Sequence, residues 1–171
     1  LPLAVAARQA GFEVHVAVPH DEAAVETIQS AGITHHDVPL RRGARGLVGE
    51  MKLVAAYWRL FGSLRPDLLH AVTMKPVLYG GLVARLRHVP AVVHAITGLG
   101  YLFLIEGAFA RLQRAAVMAL YRIALAHPNL RAVFQNPDDL ALFTRRRAVR
   151  PGTHVTIRGC GVDLDEFAPA P

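Results

Sequence analysis

The sequence predicts a three-layer α/β sandwich with a mostly parallel sheet. Short runs rich in β-branched and aliphatic residues alternate six times with helical patterns, and no convincing hairpin signal lies between them. Strands in such an order are joined by crossover helices and lie parallel. The 171 residues, 53% of them hydrophobic, suffice for one domain with a real core and fall short of two ordinary ones. No repeat of 20 to 50 residues and no low-complexity tract interrupts the pattern.

Residues 2–9 read as a helix, with Pro2 at its first position, alanines through it and Gly11 as its stop. In a doubly wound fold a strand precedes the first helix. None is present here, so the first, central strand is expected to be missing, with residues 13–18 and 68–72 flanking its place. Residues 13–18 alternate through Val14, Val16 and Val18 and form a strand ending at Pro19. A helix over 21–31 follows, with Asp21 as its N-cap, Ala24, Ile28 and Ala31 on one face, and Gly32 ending it. Residues 34–40 are a short strand in which His35 and His36 point to opposite faces, a poor arrangement for joint metal binding.

A basic loop over 41–46 leads into a long helix over 47–64, its stripe of Leu47, Met51, Val54, Ala55, Trp58 and Phe61 expected to pack in the core. Arg41, Arg42 and Arg45 in that loop and Lys52 on the helix suit contact with an anionic bilayer surface. Residues 68–72 form a strand, Thr73-Met74-Lys75 a polar turn, and Pro76 opens a helix whose first N–H groups can face an anion. The strand over 91–96 ends in a second turn, Thr97-Gly98-Leu99-Gly100-Tyr101. Both turns follow strand carboxyl ends, where open α/β sheets bind ligands. An amphipathic helix over 109–126, a strand over 129–134, a helix from Asn136-Pro137-Asp138-Asp139 to about Arg146, and a strand over 153–157 complete the pattern.

The net charge is +6 with histidine neutral, and Arg145, Arg146, Arg147 and Arg150 form a second basic cluster. A basic surface suits an anionic partner, with solvated arginines as the plain alternative. The chain lacks interleaved aromatics and any recognition motif, which argues against nucleic acid. No apolar run reaches the length of a membrane span. Cys160 is the lone cysteine, so an intrachain disulfide is impossible, which suits a reducing compartment.

Familiar chemical motifs fail on context. Gly98/Gly100 and Gly159/Gly161 lack the third glycine and the setting of a dinucleotide fingerprint. Asp163 and Asp165 have the spacing of a metal-holding DxD without a supporting carboxylate, and no metal site is expected. His70 and His94 sit in buried-looking strands, His94 as a hydrogen-bonded structural residue. No Ser-His-Asp arrangement, CxxC or HxxxH occurs.

Read together, PDLLHAVTMKPVLYGGLVARL (66–86), VPAVVHAITGLGYLF (89–103), VFQNPDDLALF (133–143) and IRGCGVDLDEFAP (157–169) resemble the amino-terminal domain of family 4 glycosyltransferases, nearest to bacterial enzymes that build cell-surface polysaccharides on lipid carriers. The resemblance implies a Rossmann-like acceptor domain over residues 1–161 of a two-domain GT-B enzyme. Residues 162–171 would begin the linker to a donor domain absent from this chain. It implies a retaining transfer that needs no metal or cofactor, with a nucleotide-sugar bound by the absent domain and a polyprenyl-diphosphate-linked saccharide as acceptor. It further implies a cytoplasmic place at the inner face of the plasma membrane, and no activity for this chain alone. Thr73, Lys75, Thr97, Gly98, Gly100, Tyr101 and Asn136 are the candidate substrate-binding residues. The family's catalytic histidine, late in the fourth strand, matches Ile96 rather than His94, so no catalytic residue is assigned. The alternative is a non-catalytic module of the same fold that recognises a sugar phosphate or lipid head group.

Overall fold

The computed structural model describes residues 1–40, 46–99 and 107–159. The basic residues Arg41, Arg42 and Arg45, the turn residues Gly100 and Tyr101, and Cys160 to the end of the chain lie outside the described residues. Two units are distinguished, Leu1–Ser63 and Leu64–Pro171.

The first unit runs α1 (Pro2–Gln9), β1 (His15–Val18), α2 (Glu22–Ser30), β2 (Thr34–Asp37) and α3 (Gly46–Leu64). The Asp21 carboxylate accepts the Ala24 N–H at 3.0 Å and satisfies one orphan donor of α2. β1 and β2 pair in parallel from His15↔Thr34 to Val18↔Asp37, so β1 starts two residues later than its alternation predicts. Strand length is set by the partner as well as by the pattern.

The predicted core stripe of α3 is overturned. Leu53, Tyr57 and Phe61 are buried, the rings of Tyr57 and Phe61 stacked at 5.8 Å. Leu47, Met51 and Trp58 are 77%, 63% and 42% exposed. Of the predicted stripe, Phe61 alone is fully buried. α3 is apolar on most of its circumference, so periodicity leaves two competing stripes, and tertiary packing selects the one through Leu53.

The second unit runs β3 (Leu68–Val72), a π-helical turn (Pro76–Gly80), α4 (Gly81–Leu86), β4 (Ala91–Ile96), α5 (Ala108–Ala124), β5 (Leu130–Phe134), α6 (Pro137–Arg145) and β6 (His154–Thr156). Its sheet order is β3-β4-β5-β6, parallel throughout. β1 and β3 therefore belong to different sheets. Asn136 caps α6: its Oδ1 accepts the Asp139 N–H at 2.7 Å, and its Nδ2 donates to Asp139 Oδ2 at 2.7 Å. Phe134 of β5, Tyr121 of α5 and Phe143 of α6 meet edge to face at 4.8 and 5.2 Å. All three are 1% exposed or less. Each such ring pair adds about 0.5–1.5 kcal/mol beyond area burial, which ties α5 and α6 to one face of the sheet. On β3, Ala71 is buried, while the alternate residues Leu68, His70 and Val72 are exposed. His70 thus corrects the buried setting that its strand suggested.

Candidate functional site

The site of interest is the carboxyl edge of β3 and β4, neighbours in register from Leu68↔Ala91 to Val72↔Ala95. Parallel pairing brings the two following turns to one edge of the sheet. At the end of β3 the chain turns sharply at Thr73, whose φ is +72°. A β-branched residue in that region is a genuine steric outlier, and such strain collects at ligand sites. Two backbone bonds hold it: the Thr73 N–H donates to the Ala95 carbonyl at 3.3 Å, and the Thr73 carbonyl accepts the Val77 N–H at 3.2 Å. The first bond ties the β3 turn directly to β4.

Helical conformation begins at Met74 and Lys75, before the predicted start at Pro76. Lys75 has φ −66° and ψ −46° and is half-buried, so it is part of the first turn rather than the residue preceding it. The early start of the helix has a simple cause. Proline lacks an N–H, and the first turn of a helix is where that loss costs nothing. The chain then widens into the π-helical turn before tightening into α4, a departure common near functional sites.

His94 on β4 explains part of this irregularity. It is fully buried, and neither ring nitrogen has a hydrogen-bond partner. A Cβ placed on Gly81 would lie 2.8 Å from His94 Nε2 and 3.0 Å from the Ala124 Cβ. The bare backbone of Gly81 therefore gives the imidazole its space between β4, α4 and α5. Burial, with smaller contributions from His127 and His70 and a weak opposing one from the Val93 backbone, which forms no well-shaped hydrogen bond, pushes the His94 pKa down to about 4. At neutral pH it is an uncharged packing residue without the hydrogen bond expected from the sequence.

Beyond β4, Thr97 is exposed and Leu99 buried. Gly98 has φ +140°, and a Cβ there would meet nothing within 4 Å. Its glycine is demanded by backbone conformation rather than by a crowded neighbour. Thr73, Lys75, Thr97 and Gly98 are thus brought to one sheet edge. Asn136 follows β5 in the same sheet, with both ends of its amide engaged in the helix cap. Ile96, where the catalytic histidine was aligned, is buried.

Three features escaped the reading of the sequence: the strain at Thr73, the fit of Gly81 against His94, and the solvent-facing stripe of α3. The Gly80-Gly81 doublet in a helical stretch was the available signal for the second, since paired glycines there usually mark close packing.

The sequence of residues 1–136 matches the family described as glycosyl transferase 4-like. Over 127 residues the chain is 28% identical to the UDP-Gal:alpha-D-GlcNAc-diphosphoundecaprenol alpha-1,3-galactosyltransferase of Escherichia coli, covering 72% of this chain and 30% of that protein. Over 169 residues it is 22% identical to the N,N'-diacetylbacillosaminyl-diphospho-undecaprenol alpha-1,3-N-acetylgalactosaminyltransferase of Campylobacter jejuni, covering 99% and 44%. It thus spans less than half the length of each. Among solved structures it resembles MurG of Acinetobacter baumannii, with a TM-score of 0.55 and 16% identity over 96% of this chain and 42% of that one, a likeness of fold. The match over residues 1–136 places this α/β chain in the glycosyl transferase 4-like family.

Proposed function

We propose that the chain is the acceptor-binding half of a retaining glycosyltransferase that moves a sugar from a nucleotide-sugar to a polyprenyl-diphosphate-linked saccharide in cell-envelope polysaccharide synthesis. The observation that carries this reading is the strained junction at Thr73, tied to Ala95 and followed two residues on by Lys75. It places a hydroxyl, a cation and the turn at Thr97-Gly98 on one edge of a parallel sheet, where ligands bind in such folds. Both relatives are named for transfer to undecaprenol-diphosphate-linked sugars. The donor would sit in a second domain, which supplies the charge stabilisation at the departing diphosphate. In the intact protein, Lys75→Ala should raise the acceptor KM or lower kcat/KM about tenfold, the scale of one lost charge-assisted contact, with donor KM unchanged. A defect confined to the donor would place the acceptor elsewhere.

The same reading puts the enzyme at the inner face of the plasma membrane as a peripheral protein. No helix among the described residues is long and apolar enough to cross a membrane. α3 nevertheless exposes Leu47, Met51 and Trp58, with Lys52 beside them and Arg41, Arg42 and Arg45 just before the helix in sequence. An exposed apolar stripe with cations near it in sequence suits an anionic lipid surface, where each basic residue contributes about 1 kcal/mol that salt weakens. Sedimentation with anionic vesicles should carry the protein down, and Met51→Glu with Trp58→Glu should abolish it. Equal binding to neutral vesicles would refute the electrostatic part.

A further inference from the structure

The first unit carries a cleft of about 360 Å³ lined by residues of that unit. It lies between the carboxyl end of β2 and the second half of α3, and is lined by His36, Asp37, Val38, Arg59, Leu60 and Ser63 among others. Its size falls in the range of small-molecule sites, and a strand carboxyl end is where α/β sheets bind ligands.

The lining divides by chemistry. Asp37 Oδ1 accepts the His20 backbone N–H at 2.9 Å, which leaves Oδ2 to accept a ligand hydroxyl. Arg59 donates through Nε to the Ala55 carbonyl at 3.3 Å, which leaves its two terminal NH2 groups to donate. Both side chains belong to exposed residues, and among the described residues they form no ion pair with each other. Opposite charges that share a cleft without neutralising one another are available to one ligand with both an anionic group and hydroxyl donors. Val38 and Leu60 supply an aliphatic wall.

His36 has a defined role in this arrangement. Glu13 Oε1 lies 3.1 Å from His15 Nε2, and His15 Nδ1 lies 3.0 Å from His36 Nε2. A carboxylate only accepts, so His15 Nε2 carries its proton. His15 Nδ1 then accepts from His36 Nε2–H in the neutral pair. The array ends in His36 on the wall of the cleft.

We propose that this cleft binds an acidic monosaccharide, a sugar phosphate or uronate, with the anionic group on Arg59, ring hydroxyls on Asp37 and His36, and the ring's C–H face on Val38 and Leu60. The assignment does not rest on the acceptor reading of the second unit. Burial first, then the neighbouring His15 and His35, hold the His36 pKa below the ordinary histidine value. In the neutral pair His36 spends its Nε2–H on His15, so at neutral pH its remaining Nδ1 can only accept from a ligand hydroxyl, and His36 attracts the anion once acidification protonates it. His15, His35 and the Asp37 and Arg59 side chains are the charged or titratable groups around it, with Glu13 acting through His15 and His20 edge-on to His35 at 6.1 Å.

The test is titration calorimetry of the full-length protein with glucose 1-phosphate, glucuronate, glucose and inorganic phosphate. Both acidic sugars should bind with one site, and glucose and phosphate at least tenfold more weakly. Arg59→Gln and Asp37→Asn should each weaken glucose 1-phosphate binding about tenfold, as expected for a lost charge-assisted contact. Both residues are exposed, so neither change disturbs a core. In the unaltered protein, affinity for the anionic sugars should rise as pH falls below the ordinary histidine range, and His36→Gln should flatten that rise. Absence of binding by both acidic sugars, equal binding of phosphate alone, or affinities indifferent to the Arg59 and Asp37 changes would overturn the assignment. Loss of binding in Lys75→Ala with Arg59→Gln unchanged would move the ligand to the sheet edge of the second unit instead.

Discussion

His94 in the four-stranded sheet and the His15–His36 pair in the two-stranded sheet put one side chain into two contrasting settings. His94 has no accessible surface and no partner for either nitrogen, and it fills a space that Gly81 leaves open. His15 and His36 are half-buried, share a hydrogen bond of 3.0 Å, and connect onward to a carboxylate at 3.1 Å. The first is a volume element whose polarity is a liability. The second is a polar element whose hydrogen bonds define tautomers. Burial alone does not separate the two roles, since it lowers the pKa of both His94 and His36. The presence or absence of partners does.

The largest expected effect lies with His94. Its folded pKa of about 4 is below the unfolded value of 6.5. The unfolded chain therefore takes up a proton at this site as pH falls through 6.5, while the folded chain resists until about 4. The stability that neutral His94 contributes is fully present above 6.5 and is lost across that window, up to about 3 kcal/mol. Urea denaturation from pH 7.5 to 4 should show the decline, and His94→Leu should remove most of this site's share. Replacing a buried, unpartnered polar group by an apolar one of like shape is close to neutral or stabilising at pH 7. A slope unchanged in His94→Leu would break the contrast between the two histidine settings, because His94 would then be charged or solvated in the native state.

Next in size is the glycine beneath it. A Cβ on Gly81 would press on His94 Nε2 at 2.8 Å and on the Ala124 Cβ at 3.0 Å, neither of them the end of a flexible chain. Overpacking of this kind costs about 1–3 kcal/mol, so Gly81→Ala should lower the urea midpoint with its slope preserved. His94→Ala placed beside it should recover part of the loss, since neighbours that share one space are not additive. Simple additivity would mean that the helix backbone moves away and that the space is not shared.

These histidine settings also show what could be read from sequence. Asp21 and Asn136 each act on a backbone N–H three residues on, and both caps form as local chemistry predicts. The order of strands and helices, and the parallel sense of every pairing, followed from the same short-range signals. Long-range choices were not legible. Whether α3 buries Leu53 or Met51 depends on which neighbour claims an almost uniformly apolar helix. That His94 lacks a hydrogen bond depends on α4 and α5 offering it Gly81 and Ala124 rather than a carbonyl. His15 and His36 stand 21 positions apart, and parallel register brings them together. At the candidate site, the turns at Thr73 and Thr97 were found because strand ends are predictable. The backbone strain at Thr73 was hidden because nothing in a threonine favours φ +72°.

The smallest effect belongs to the paired histidines. A hydrogen bond between partly solvated groups contributes about 0.5–1.5 kcal/mol, because water replaces either partner when one is lost. His15→Ala and His36→Ala should each destabilise within that range at pH 7.5, and the double variant should cost less than their sum, with a coupling below about 1 kcal/mol. Glu13 is 88% exposed in its side chain, so Glu13→Gln should change stability very little. Its effect should instead appear in NMR, because the carboxylate is what selects the Nε2–H form of His15. With glutamine in its place, the nitrogen shifts of His15 and His36 should move toward mixed tautomers. Shifts that stay fixed in Glu13→Gln would show that His36 alone sets the order of protons, and the array would shrink to a pair.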